Sequence, residues 1–166
     1  PKKVLHLAPE QCFVNLFRKQ QNLDYLTADL YSPIADVKAD ILALPFDDNT
    51  FDVVFCNHVL EHIIDDQKAM SELYRVMKKG GFGIFQVPQD LNLEKTFEDF
   101  TITNPKERAI HFGQYDHVRI YGQDYFKRLE NAGFEVHQIN LSTELSPELI
   151  NQYKLTENEI LPYCKK

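Results

Sequence analysis

Residues 51–62 read FDVVFCNHVLEH, from Phe51 to His62. The first seven, Phe51 to Asn57, are mostly β-branched or aromatic, the composition of a central strand in a parallel sheet. Working outward, Val4 to Ala8 reads as a buried strand, Asp24 to Asp29 as another, and Asp36 to Ile41 as a short, weaker one. Between the first two, Cys12 to Gln20 places Phe13, Leu16 and Phe17 on one helical face. Downstream, a helix is predicted from about Asp66 to Met77 with Ala69, Leu73, Val76 and Met77 as its apolar stripe. Asp65 or Asp66 can cap its start, and Gly80-Gly81 is expected to end it. Phe82 to Val87 is the next strand, stopped by Pro88. This alternation of apolar runs and helical periods is that of βαβ units, so the chain is read as α/β.

From Pro88 to Gly122 the pattern breaks into polar, charged and aromatic residues. Such a length suits an inserted, lid-like segment over about residues 89–122. A helix from Gln123 to Ala132, with Gly133 past its end, and a strand from Phe134 to Leu141 follow. Ser146-Pro147-Glu148 has the cap, first-turn proline and first-turn acid of a short helix. Ile160 to Cys164 is the last strand, and its local connection lets it pair antiparallel with the one before. The 166 residues and 43% hydrophobic content suit a single domain over 1–166. The chain opens at Pro1 without an initiator Met, which leaves room for a segment upstream.

The net charge of -7 and the lack of a Lys/Arg cluster argue against nucleic acid and against an anionic membrane surface. No apolar run approaches bilayer length. Cys12, Cys56 and Cys164 are odd in number and widely spaced, which predicts reduced thiols and a cytoplasmic protein.

In an open α/β sheet, ligands sit beyond the carboxyl ends of the strands. Four segments end there. His6-Leu7-Ala8-Pro9-Glu10 lacks the glycines of a dinucleotide turn, and Glu10 would repel a pyrophosphate. A ligand with an ammonium and a sulfonium is easier to place, although Glu10 can equally be a favourable acid in a helix's first turn. Asp29, with Leu30 after it, stands where an acid accepts from ribose hydroxyls in nucleotide folds, or where an aspartate serves a turn. Asp40 can accept from an adenine amino group while Ile41 packs on the ring, or be an ordinary loop acid. The fourth segment is Asn57-His58, at the end of the central strand.

ADILALPFDDNTFDVVFCNHVLEHI (39–63), followed by ELYRVMKKGGFGIFQVP (72–88), resembles the class I S-adenosylmethionine-dependent methyltransferase superfamily. The nearest branch is type 11, in the subgroup with an LH-x-APE first motif. The resemblance runs from Val4 to Cys164. It implies a Rossmann-like, seven-stranded, mainly parallel sheet with helices on both faces and an antiparallel last strand beside the fifth. It implies S-adenosylmethionine as cofactor, with S-adenosylhomocysteine as product, and methyl transfer to a small-molecule or glycan acceptor by in-line displacement. The loop from His6 to Glu10 then lies under the methionine moiety, Asp29 holds the ribose, Asp40 and Ile41 hold the adenine, and Asn57 and His58 flank the methyl group. The usual acid-x-Gly-x-Gly pattern is replaced by His6, Ala8 and Glu10, which keeps open a domain that binds the cofactor without catalysis. The subgroup often carries a cysteine-rich ribbon upstream.

His58-Val59-Leu60-Glu61-His62 also matches the inverted zinc-protease pattern H-x-x-E-H, which opens a zinc-hydrolase alternative. That chemistry needs both histidines on one helical face, and here the motif starts at a strand end. No metal is therefore expected, and His62 is read as a packed helix-start histidine. In the insertion, His111, Asp116 and His117 either face the acceptor or scaffold the segment. His58 and His117 have the intrinsic pKa of a general base, and Asp116 could orient His117. Tyr121 is expected to pack, and Arg119 to pair with an acid. Glu98-Asp99 is placed either at the mouth of the site or in solvent.

Overall fold

In the computed structural model, which describes residues 1–155 and 159–166, the chain forms β1 (Lys2–Leu7), α1 (Gln11–Phe17), β2 (Leu23–Asp29), β3 (Val37–Lys38) and β4 (Phe51–Cys56). After a 3-10 turn at Leu60–His62 come α2 (Asp66–Val76), β5 (Met77–Ile84), β6 (Phe97–Glu98), α3 (Pro105–Phe112) and β7 (Arg119–Ile120). The chain continues through α4 (Tyr125–Asn131), β8 (Glu135–Asn140), α5 (Leu141–Glu144), α6 (Pro147–Tyr153) and β9 (Ile160–Lys165).

Seven strands form one sheet in the order β3-β2-β1-β4-β5-β9-β8. The first five are parallel, and β9 runs antiparallel to both β5 and β8. The expected Rossmann-like sheet with its antiparallel last strand beside the fifth is therefore present. Alternation along β4 sends Val54 and Cys56 to one face and Val53 and Phe55 to the other. On the first face, Ala69, Met70, Leu73 and Val76 of α2 and Tyr125, Phe126 and Leu129 of α4 join the main core. On the second, Phe17 of α1 stacks on Phe55 with ring centroids 5.6 Å apart.

Several local readings need correction. α1 buries Val14, whereas Phe13 and Leu16 lie exposed. Gly80-Gly81 does not cap α2. Met77 already pairs with Phe51, the register then shifts, and Phe82 pairs with Val53. The glycines form the bulge between them: Gly80 has φ +76°, and a Cβ on Gly81 would stand 2.8 Å from the Asp52 carbonyl oxygen. β3 is only two residues long, because Asp40 turns the chain by accepting from the Leu42 N–H at 2.9 Å. Asp65 does cap α2, accepting from the Lys68 N–H, and Ser146 caps α6.

Residues 89–122 carry α3 and a small antiparallel sheet of β6 and β7. Arg119, 1% exposed, fastens this segment to the 3-10 turn. Its guanidinium donates to the Leu60 carbonyl at 3.0 Å, to that of Ile63, and to that of Ile64 at 2.9 Å, while Nε donates to Glu98 at 2.9 Å. The Val118 N–H donates to the Glu61 carbonyl at 2.9 Å. Tyr121 is fully buried and donates to Asp66 at 2.9 Å. Glu98 is thus held by Arg119 and Arg128, and Asp99 accepts from Thr101 in a local turn.

Candidate active site

The carboxyl ends of β1 to β4 surround a cavity of about 470 Å³, a size typical of small-molecule sites. Leu7 and Ala8 come from the first strand end, and Ala28 to Tyr31 from the second. Ala39 to Ile41 come from the third, and His58, Val59, His62 and Ile63 from the fourth. Asp116 reaches in from the insertion.

Local chemistry fixes each group. Ala8 adopts φ 48°, a left-handed turn whose small side chain limits the steric penalty. Asp29 uses Oδ1 to accept from the N–H groups of Tyr31 and Ser32, at 2.6 and 2.5 Å, which leaves Oδ2 for a ligand. Asp40 uses Oδ1 on Leu42 in the same way. The loop after Ile41 is held by α2, where Arg75 donates to the carbonyls of Leu44 and Phe46 at 3.0 and 2.7 Å. Glu72 accepts from the Leu44 N–H at 2.8 Å. The Arg75 contact lowers the pKa of Glu72, so the clamp stays ionised. His58 also has a left-handed backbone, φ 53°. Its Nδ1 stands 3.6 Å from Glu61, and that contact raises its pKa above the ordinary imidazole value.

Of the sequence-derived candidates, Ala8, Asp29, Leu30, Asp40, Ile41, His58 and Asp116 line the cavity. His6, Pro9, Glu10, Asn57, His111 and His117 are outside that lining. His6 is 1% exposed and belongs to the aromatic layer under α1, edge-on to Phe17 and Phe55. Burial lowers its pKa. Its neutral ring donates from Nε2 to Glu10 and accepts at Nδ1 from the Tyr25 hydroxyl at 2.6 Å. Burial pushes that hydroxyl up to about 12. Glu10 is accordingly tied to His6. Asn57 Oδ1 accepts from the Gln86 N–H at 3.2 Å. His111 is exposed on α3.

His62 escaped the sequence reading. It is not packed under the sheet but borders the cavity, with Nδ1 3.4 Å from Asp116. Its ring lies edge-on to that of His117, centroids 4.6 Å apart. Asp116 therefore faces His62 and not its neighbour His117. The H-x-x-E-H run is not on an α-helix, since only Leu60–His62 is helical and as one 3-10 turn. His58 and His62 do not form the inverted zinc pattern.

The cavity lies at the strand ends, and its lining holds three aspartates and no lysine or arginine. Residues 3–85 match the family model described as "Methyltransferase domain", of type 11, and the chain belongs to that family. It is 35% identical over 113 residues to a ubiquinone/menaquinone biosynthesis C-methyltransferase, UbiE, of Ruegeria sp., covering 60% of this chain and 45% of that protein. It is 28% identical over 126 residues to sterol 24-C-methyltransferase erg6 of Schizosaccharomyces pombe, covering 72% of this chain and 32% of that one. The chain thus spans less than half the length of these curated relatives. Among solved structures it superposes on a SAM-dependent methyltransferase from Archaeoglobus fulgidus, with TM-score 0.63, 18% identity and coverage of 99% and 86%. It also superposes on the 1,6-didemethyltoxoflavin-N1-methyltransferase of Burkholderia thailandensis, solved with 1,6-didemethyltoxoflavin and S-adenosylhomocysteine, with TM-score 0.65, 12% identity and coverage of 100% and 71%. At these identities the two structures show a shared fold.

Proposed function

We propose that the chain binds S-adenosylmethionine in the cavity at the strand ends and transfers its methyl group to a small-molecule or glycan acceptor. The observation that carries this reading is the charge of the lining: Asp29, Asp40 and Asp116 are present, and no lysine or arginine is. Such a surface attracts a cationic ligand and repels a pyrophosphate. The residues fit the cofactor. Asp29 Oδ2 would accept from ribose hydroxyls, Asp40 from the adenine amino group, and buried Ile41 would pack on the ring. When bound, S-adenosylmethionine supplies a methyl group already activated by its positive sulfur. The protein's work is then to orient the acceptor and exclude water. His58, exposed at the cavity and charge-coupled to Glu61, is placed to hold a proton from an acceptor group.

A second reading has its own observation. Ala8 and Glu10 replace the usual glycines, and Glu10 is bound to His6, so the domain could hold the cofactor without turning it over. Calorimetric titration with S-adenosylmethionine, S-adenosylhomocysteine and NADH tests both. Saturable micromolar binding of the first two alone is expected, and absence of binding would overturn the proposal. Transfer of an isotopically labelled methyl group to an acceptor in a metabolite and glycan screen then separates the active domain from the silent one.

A further inference from the structure

Glu61 is 1% exposed, and neither carboxylate oxygen accepts a hydrogen bond among the described residues. A buried, ionised carboxylate without donors is costly. His58 Nδ1 stands 3.6 Å from Oε1, too far for a hydrogen bond, so the carboxylate still lacks a donor. His117 Nδ1 is 3.1 Å from the Phe112 carbonyl oxygen. A carbonyl only accepts, so Nδ1 carries a hydrogen and Nε2 is the ring nitrogen left to face another group. That Nε2 faces Glu61 Oε1 at 4.0 Å. A carboxylate oxygen and a ring nitrogen thus face each other in the interior at more than hydrogen-bond distance, with room for a cation between them. His62 completes the set: one ligand atom from each of Glu61, His62 and His117 lies within 4.8 Å of the others.

We propose that Glu61, His62 and His117 bind a divalent transition-metal ion of the zinc class. Two imidazoles and one carboxylate form the donor set of catalytic zinc sites that keep an open position. Hard ions such as Mg²⁺ prefer all-oxygen surroundings. The surroundings show the supports such sites use. Asp116 stands 3.4 Å from His62 Nδ1, placed to hold that ring when Nδ1 carries a hydrogen, and the Phe112 carbonyl is 3.1 Å from His117 Nδ1. The placement of His117 is itself built, since Arg119 and the Val118–Glu61 backbone bond seat this stretch on the 3-10 turn. His62 borders the cavity, so a position left open by the protein would meet a ligand with an oxygen donor, such as a hydroxyl or carboxylate. The ion site is independent of the methyl-transfer reading. Only its use toward an acceptor rests on that reading.

The test uses the metal alone. The chain, stripped with a chelator, is titrated with Zn²⁺ by equilibrium dialysis and with Co²⁺ by its visible ligand-field absorption, without S-adenosylmethionine. One saturable site per chain is expected. His62→Gln and His117→Gln should each weaken it by more than a hundredfold, and Asp116→Asn by about ten- to a hundredfold. His111→Ala, on the exposed face of α3, should leave it unchanged. Far-ultraviolet circular dichroism confirms the fold of each variant. No saturable binding by the wild-type chain would overturn the site. Binding that survives both histidine variants would place the ion elsewhere and overturn it equally. Cofactor affinity, measured separately, tells either failure apart from failure of the methyltransferase reading.

Discussion

Replacing Arg119 by lysine keeps the charge and removes the planar fork. The guanidinium serves four acceptors at once: Glu98 through Nε, Leu60 and Ile63 through Nη1, and Ile64 through Nη2. An ammonium is a single point and cannot reach acceptors spread around the rim of that fork. At least two buried groups lose a charged donor, at roughly 1–3 kcal/mol each before relaxation. Partial re-solvation trims the sum, and a net loss of about 2–4 kcal/mol is expected. That is a large fraction of the roughly 5–15 kcal/mol that holds a domain of this kind. With a urea m-value of about 2 kcal/mol/M, the midpoint should fall by roughly 1–2 M. Urea unfolding followed by circular dichroism measures this directly. A loss below about 0.5 kcal/mol would refute the role of Arg119 as the fastener of residues 89–122.

Asp29→Ala should weaken S-adenosylmethionine binding roughly ten- to a hundredfold, by removing a charged acceptor. Unchanged affinity in a folded variant would show by calorimetry that Asp29 serves only its turn. Burial holds His6 neutral with a lowered pKa, so its contribution to stability is complete above about pH 6.5 and declines as the pH falls toward the native value. His58, whose pKa is raised, works in the opposite sense over the same range, so the check is the difference in melting temperature between wild type and His6→Gln, which should narrow as the pH falls below about 6.5. A further decline belongs to more acidic solutions, where Asp52 and Glu72, whose pKa values are lowered by the Lys3 N–H and by Arg75, become protonated. Gly83→Ala would set a Cβ 2.3 Å from Phe85 Cζ and 3.0 Å from the Val54 carbonyl. A cost of about 1–3 kcal/mol is expected by denaturant titration.

The sheet was legible because its signals are local. Phe51 to Cys56 announces a two-sided strand, and Asp29 and Asp40 sit at strand ends by simple counting. The site was less legible because a strand end says which residues are near a cavity and not which way each side chain points. His6 shows this: one residue before Leu7, which lines the cavity, alternation turns it to the opposite face and into the aromatic layer with Tyr25 and Phe55. His62 and Glu61 were obscured for a different reason. Their significance depends on His117, and that pairing is made by Arg119 reaching the carbonyls of residues 60–64, a long-range bond with no periodic signature. Gly80-Gly81 looked like a helix stop because a bulge and a left-handed cap ask for the same residue.

The position of β9 has a consequence for biosynthesis. It lies between β5 and β8, so those two strands share no hydrogen bonds with each other. As the polypeptide leaves the ribosome, β1 to β5 can assemble early, but the bonding edge of β5 stays bare until residues 160–165 emerge. A nascent chain halted before Ile160 is therefore an open template for strand addition. Pausing or termination before residue 160 would then release species prone to associate, whereas a chain that has reached residue 165 closes that edge with β9.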